Sequence, residues 1–163
     1  MSNRAQPIWR LLSAWLPAIL GISVIVWEST DTFSSAHTSQ PLRHLWELLA
    51  GPVNNLAWEA IHHNIRKTGH AIGYGMLSGL FFRAWFLTFS EFLGRRVEEW
   101  HTSSLLALVC TLLVGSSDEL HQKFLPSRSS SPFDVAVDMA GAFMVHSCLS
   151  RCTSSLHAAG SSL

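Results

Sequence analysis

The chain has 163 residues, 48% of them hydrophobic and only 13% charged, with a mean hydropathy of +0.24. Charged residues at about half the usual ~25% set it apart from disordered and ordinary water-soluble chains, and make a small membrane protein the leading class. Eleven basic against eleven acidic side chains, at a pI near 7.1, exclude the basic footprint of a nucleic-acid binder.

The segment Leu11 to Trp27 contains no ionisable group and extends back to Ile8 across Arg10 alone. This predicts a membrane-spanning helix over 8–27, with Arg10 snorkelling to the interface. Trp9 and Trp27 bracket it, 18 residues apart, close to a ~30 Å hydrocarbon thickness at about 1.5 Å per residue. Pro17 is a candidate kink. The run is longer than the apolar part of a secretory leader and ends in VIVWES, without a small-residue cleavage site, so it is expected to be retained.

The stretch ESTDTFSSAHTSQ that follows is rich in Ser and Thr and is expected to be irregular. Beyond Pro41, Leu42, Leu45, Trp46 and Leu49 take helical spacing. After Gly51-Pro52, the set Val53, Leu56, Ala57, Ala60 and Ile61 repeats it. Short amphipathic helices lying on the membrane or capping a bundle are predicted.

Three weaker apolar segments complete the chain, at about 68–89, 102–118 and 133–150; the last two are near the lower length limit for a span. A single anchor would leave them in water, whereas a bundle gives every segment an apolar environment. The expected fold is therefore all-α: an integral membrane bundle of four transmembrane helices, with the short interfacial helices in the first extracytoplasmic loop. It occupies a single domain over 1–150, followed by a mobile C-terminal tail at 151–163. Arg4 and Arg10 before the first helix, and Arg95 and Arg96 in a short connection, favour a multi-pass protein of the inner (cytoplasmic) membrane with both termini cytoplasmic. Arg83 is expected to snorkel at the inner surface beside Trp85. Gly75 and Gly79 form a G-x-x-x-G pair suited to close helix contact. Cys110, Cys148 and Cys152 are odd in number and lie in or beside apolar stretches, so no disulfide framework is visible.

Ionisable groups within spans cost on the order of 3 kcal/mol each, which makes their placement informative. Lys67, His70 and Tyr74 stand at i, i+3, i+7 on one helical face. Asp118 and Gln122 are one turn apart, with Glu119 between them, and Asp134 and Asp138 are also one turn apart, with Gly141 continuing their face. In an antiparallel bundle all three groups emerge at one membrane surface, the outer one. Pro126 and Pro132 restrict the backbone around Arg128, whose donor fork suits a carboxylate or phosphate. A polar pocket of mixed charge follows.

The strings RKTGHAIGY and DELHQKFLPSRSSSPFDVAVDMAGA resemble the paired motifs of the VanZ-like family of small bacterial membrane proteins. That pattern is approximately R-K-x-x-H-x-x-x-Y, then D-E-x-x-Q-x-F-x-P-x-R-x-x-x-x-x-D-x-x-x-[ND]-x-x-G. Arg66, Lys67, His70, Tyr74, Asp118, Glu119, Gln122, Phe124, Pro126, Arg128, Asp134, Asp138 and Gly141 fall on it. ESTDTFS after the first span also looks like the family's, and the likeness covers about 27–145. The short fourth span with His146 inside departs from it. The resemblance implies a cell-envelope role. The family's namesake is associated with low-level resistance to the glycopeptide teicoplanin.

Three readings compete. In the first, a polar site at the outer surface binds or modifies a head group, such as a lipid-linked or cell-wall precursor. Lys67 and Arg128 hold phosphate, Tyr74, Gln122, Asp134 and Asp138 complete the binding set, and His70, Asp118 and Glu119 are the candidate acid–base groups. No nucleophile motif and no phosphate-cradling glycine loop accompanies them. In the second, the charges neutralise one another in a structural network; after Lys67 and Arg128 are paired, two of the four acids and a histidine are left over, which speaks against it. In the third, a metal-dependent hydrolase, His62, His63, His70 and His121 join the carboxylates, but their spacing is not diagnostic and Lys67 and Arg128 oppose a cation. No metal and no other cofactor is therefore expected. Transport is a weaker fourth possibility, requiring an oligomer. The bilayer is the expected partner, and oligomeric state is not encoded legibly.

Overall fold

The computed structural model describes residues 5–93, 99–125 and 131–160. Among them the chain is all-α, with five helices: α1 (Ala5–Glu28), α2 (Ser35–Ala50), α3 (Asn55–Leu93), α4 (Glu99–Gln122) and α5 (Pro132–Gly160). A single 3-10 turn, Asp31–Phe33, leads into α2. The backbone of 151–160, placed in a tail by the sequence reading, continues α5.

Among the described residues two helices, not four, are long and apolar enough to cross a membrane: Ile8–Glu28 of α1, and α4. The four-span expectation is corrected on this point. The segment 68–89 is only the middle of a 39-residue helix, α3, in which His70, Arg83 and Glu91 interrupt the apolar run. The segment 133–150 lies in α5, where Asp134, Asp138 and His146 do the same.

The polar loop also differs from expectation. Half of the Ser/Thr stretch is helical, because Thr38 Oγ1 and the amides of His37 and Thr38 all bond to the Ser34 carbonyl and start α2 there. Gly51, at φ 90°, ends α2 with its N–H on the Glu47 carbonyl, a conformation that favours glycine. Asn54 then caps α3, its Oδ1 accepting the Ala57 N–H at 2.9 Å. No break follows, so the second amphipathic stretch is not a separate helix but the first turns of α3.

α3 is the central element, with α1, α4 and α5 packed along it and α2 folded against its start. α1 runs antiparallel to α3, joined by an Arg10–Glu91 ion pair at 3.0 Å and by Trp15 Nε1 donating to Thr88 Oγ1 at 3.0 Å. Between them Arg83 donates to the Ser13 and Ala14 carbonyls, at 3.2 and 3.1 Å. Its guanidinium thus lies along α1.

Burial is inverted on the two apolar helices. On α4, Ser103, Ala107, Thr111, Gly115 and Glu119 recur every four residues on the buried face, while Leu105, Leu112, Leu113 and Leu120 point outward. On α1, Ala14, Ala18 and Ile25 are buried, and Leu12, Leu16, Ile19, Leu20 and Val24 are exposed. Small and polar groups inside with large apolar groups outside suit a hydrocarbon surrounding.

α3 and α5 approach through small residues. A Cβ on Gly141 would run into the Ala71 carbonyl, and one on Gly75 would sit 3.0 Å from the Gly141 carbonyl oxygen. Deeper in the bundle, Ser78 Oγ and His146 Nε2 are 2.9 Å apart, which places the polar group that interrupts α5 inside the helix contact. α2 is held by polar contacts: Trp58 Nε1 donates to Ser39 Oγ at 2.8 Å, and Arg43 donates to Glu47, Asn55 and the Val53 carbonyl.

Candidate functional site

At one end of the bundle the last turn of α1, the start of α2, residues 66–74 of α3 and the last turns of α4 enclose a cavity of about 220 Å³. Its polar wall carries Glu28, Arg66, His70, Tyr74, Asp118 and Gln122, and Ile25, Phe33 and Leu42 supply its apolar side. A smaller pocket of about 40 Å³ adjoins it, with Lys67 and Asp134 on its wall beside Arg66, His70 and Gln122. Volumes of this order suit a small polar group better than a drug-sized ligand.

The four carboxylates have four different sets of partners. Asp118 Oδ2 accepts the Tyr74 hydroxyl at 3.0 Å and Gln122 Nε2 at 2.9 Å. Glu119 Oε2 accepts the Ser131 N–H at 3.0 Å, tying the end of α4 to the entry of α5. Asp134 pairs with Lys67, whose ammonium also lies 5.9 Å from the centre of the Phe133 ring. Asp138 Oδ1 is 3.4 Å from His70 Nδ1. Tyr74, Glu119, Gln122 and Asp138 are all at most 5% exposed. Tyr74 and Gln122 depend on these hydrogen bonds for their polar atoms, whereas both Asp138 oxygens are buried without a hydrogen bond among the described residues and have the His70 contact at 3.4 Å.

Helix periodicity explains the arrangement. Lys67, His70 and Tyr74 share a face of α3, and the Gly75–Gly141 approach brings α5 close enough for Asp134 and Asp138 to reach that face one turn apart. The His70 ring lies 6.2 Å from the Tyr74 ring at 21°, so histidine, tyrosine and Asp118 form a continuous polar strip. Glu119 and Asp138 stand behind it and line neither pocket. Arg128 and Pro126 lie outside the described residues.

Arg66 was not singled out as a binding group from the sequence. One residue before Lys67, it is rotated by about 100° on the helix and turns to the cavity wall. It is half-buried, and among the described residues it has no hydrogen bond and no ion pair, whereas Lys67 and His70 beside it each face a carboxylate. Desolvation by burial holds its pKa below the ordinary guanidinium value. His62, one turn earlier, stacks on Trp58 at 5.6 Å and lies 3.3 Å from Thr38 Oγ1. Burial first, and the Arg66 charge second, lower its pKa from 6.5. The signal for Arg66 was present in the R-K pair, but which of two adjacent cations is matched depends on what α5 presents.

Among the described residues, no group of three or more His, Cys, Asp or Glu side chains converges as a metal site. The arrangement can hold an anion at Arg66 and exchange a proton at His70, whose Nδ1 is turned to Asp138.

No curated protein and no solved structure matches the chain significantly. The VanZ/LLP1 family model matches residues 11–153, most of the sequence. Together with two helices apolar enough to cross a bilayer, this gives the protein a membrane-associated role. With the match running from within α1 to within α5, the chain belongs to the VanZ/LLP1 family.

Proposed function

We propose that the protein acts in the cell envelope by binding a phosphorylated head group in the Arg66 cavity, on the outer face of the membrane with both termini inside. Arg66 is the observation that carries this reading: a half-buried guanidinium on a cavity wall, with no ion pair among the described residues. Such a group retains its donor fork for an incoming anion, and phosphate matches that fork in geometry and charge. Lys67 and Asp134 neutralise each other beside it and fix the wall. His70, oriented by Asp138, keeps Nε2 for acid–base exchange with a bound ligand. Asp118 and Glu28 are the carboxylates lining the same cavity, and Gln122 and Tyr74 hold Asp118. Glu119 supports the α4–α5 connection, and Arg128 joins the proposal through its place in the sequence between them.

The test is titration of the purified full-length protein with glycerol 3-phosphate as the head-group probe. Arg66→Gln is expected to weaken binding by roughly ten- to a hundredfold, the loss of a charge-assisted contact. No binding by the wild type, or equal binding by the variant, overturns the reading. In cells challenged with teicoplanin or under envelope stress, alanine variants of Lys67, His70, Glu119, Arg128 and Asp138 at wild-type membrane levels are expected to lose activity; full activity in all of them removes the site.

A further inference from the structure

The Arg66 cavity adjoins the apolar flank of the bundle. α1 and α4 both pack on α3 without packing closely on each other, and a groove of about 390 Å³ lies between them. The groove and the cavity share Ile25, Ser29 and Asp118 as lining, so the two spaces adjoin, with the Gln122 amide bridging Ser29 Oγ at 3.4 Å and Asp118 Oδ2 at 2.9 Å where they meet. Its walls cover roughly two helical turns and change in character along them. Ile22, Leu113 and Val114 line one end; Asp118 and His121 line the other. The two helices that form it are those apolar enough to cross a membrane, and their exposed faces are leucine-, isoleucine- and valine-rich. A larger groove of about 480 Å³ between α3 and α5 shares no residue with the cavity, and its one cation, Lys67, is paired with Asp134.

Building on the head-group reading, we infer that the ligand is a membrane amphiphile whose phosphate-bearing head sits at Arg66 while one hydrocarbon chain lies in the α1–α4 groove. The polar-to-apolar grading matches such a molecule end for end, and the groove is its route from the bilayer. A chain leaving lipid for a groove of Ile, Val and Leu gains little free energy, since both surroundings are apolar. The groove therefore acts on position and selection, and the decisive readout is where the chain lies.

The experiment uses full-length protein in nanodiscs with an alkyl phosphate carrying a mid-chain diazirine. Cross-linked peptides are mapped by mass spectrometry, and glycerol 3-phosphate binding is measured in parallel. Cross-links are expected to concentrate several-fold at 22–26 and 113–117 over the rest of the apolar surface. Arg66→Gln is expected to disperse them. Ser117→Trp, or Val26→Trp as a second way to fill the groove, is expected to remove them while glycerol 3-phosphate still binds. Cross-links spread evenly over α1, α4 and α5, with glycerol 3-phosphate bound normally, overturn the groove and leave the head-group reading standing. Absence of glycerol 3-phosphate binding in the wild type overturns both.

Discussion

Arg83 of α3 donates to the carbonyl of Ser13, the acceptor that Pro17, four residues on, leaves without its helical donor. A second bond to the Ala14 carbonyl spreads the guanidinium over the weakened turn. Long-range contact and local defect thus compensate each other: α1 tolerates an interior proline because α3 supplies the missing donor, and Arg83 tolerates its apolar surroundings because α1 supplies acceptors.

A double-mutant cycle tests this coupling. Arg83→Leu is expected to destabilise the protein by about 1–3 kcal/mol, the cost of an unsatisfied backbone acceptor in a dry setting. In a Pro17→Ala background, where residue 17 again donates to Ser13, the same change is expected to cost about 1 kcal/mol less. Equal costs in both backgrounds, measured by unfolding in detergent, would separate Arg83 from Pro17.

Gly141 gives a steric prediction. A side chain there meets the Ala71 backbone, which cannot move aside as a flexible side chain can. Gly141→Ala is expected to cost about 1–3 kcal/mol and to pull Asp134 and Asp138 away from Lys67 and His70. Gly69, also in α3, has open space where its Cβ would stand, so Gly69→Ala is expected to be neutral or to stabilise by up to about 1 kcal/mol. Thermal unfolding of the pair checks the contrast.

His62 gives a pH dependence. Its pKa in the folded protein is below 6.5, because burial and the Arg66 charge disfavour the imidazolium. The unfolded chain therefore binds more protons in that window, and stability rises with pH there. The contribution is fully present above 6.5 and is lost as pH falls through the lowered folded value. Since His62 contacts Thr38, the protection factors of α2 amides, taken relative to the intrinsic exchange rate at each pH, are expected to fall on acidification. His62→Gln is expected to flatten that response, and an unchanged profile in the variant would assign it elsewhere.

The Asp118 cluster predicts a difference between isosteric and truncating changes. Asp118→Ala removes the acceptor of both Tyr74 and Gln122 and is expected to cost about 2 kcal/mol, with the Tyr74 hydroxyl left buried and unmatched. Asp118→Asn retains an acceptor oxygen and is expected to recover about half of that cost. Chemical denaturation of the two variants reads the difference.

Much of this was legible in the chain. α1 is announced by an uninterrupted apolar run, and the shared face of Lys67, His70 and Tyr74 is simple helix arithmetic. The extent of α3 was not legible, because the amphipathic turns before Thr68 and the apolar turns after it belong to one unbroken helix with neither proline nor a glycine pair between them. Counting spans failed for a related reason. The segments 68–89 and 133–150 are delimited by their apolar residues, whereas His70 and Arg83 in α3 and Asp134, Asp138 and His146 in α5 interrupt the run that a span requires. Arg66 escaped because matched and unmatched cations look alike until a second helix is placed beside them.

The unbroken length of α3 has a mechanical consequence. Its 39 residues make a rod of roughly 58 Å, gripped near one tip by the Arg10–Glu91 bridge and near the other by the Trp58–Ser39 contact. With no proline inside it to serve as a joint, a displacement imposed at the Glu91 end of such a rod is expected to be carried through to Arg66.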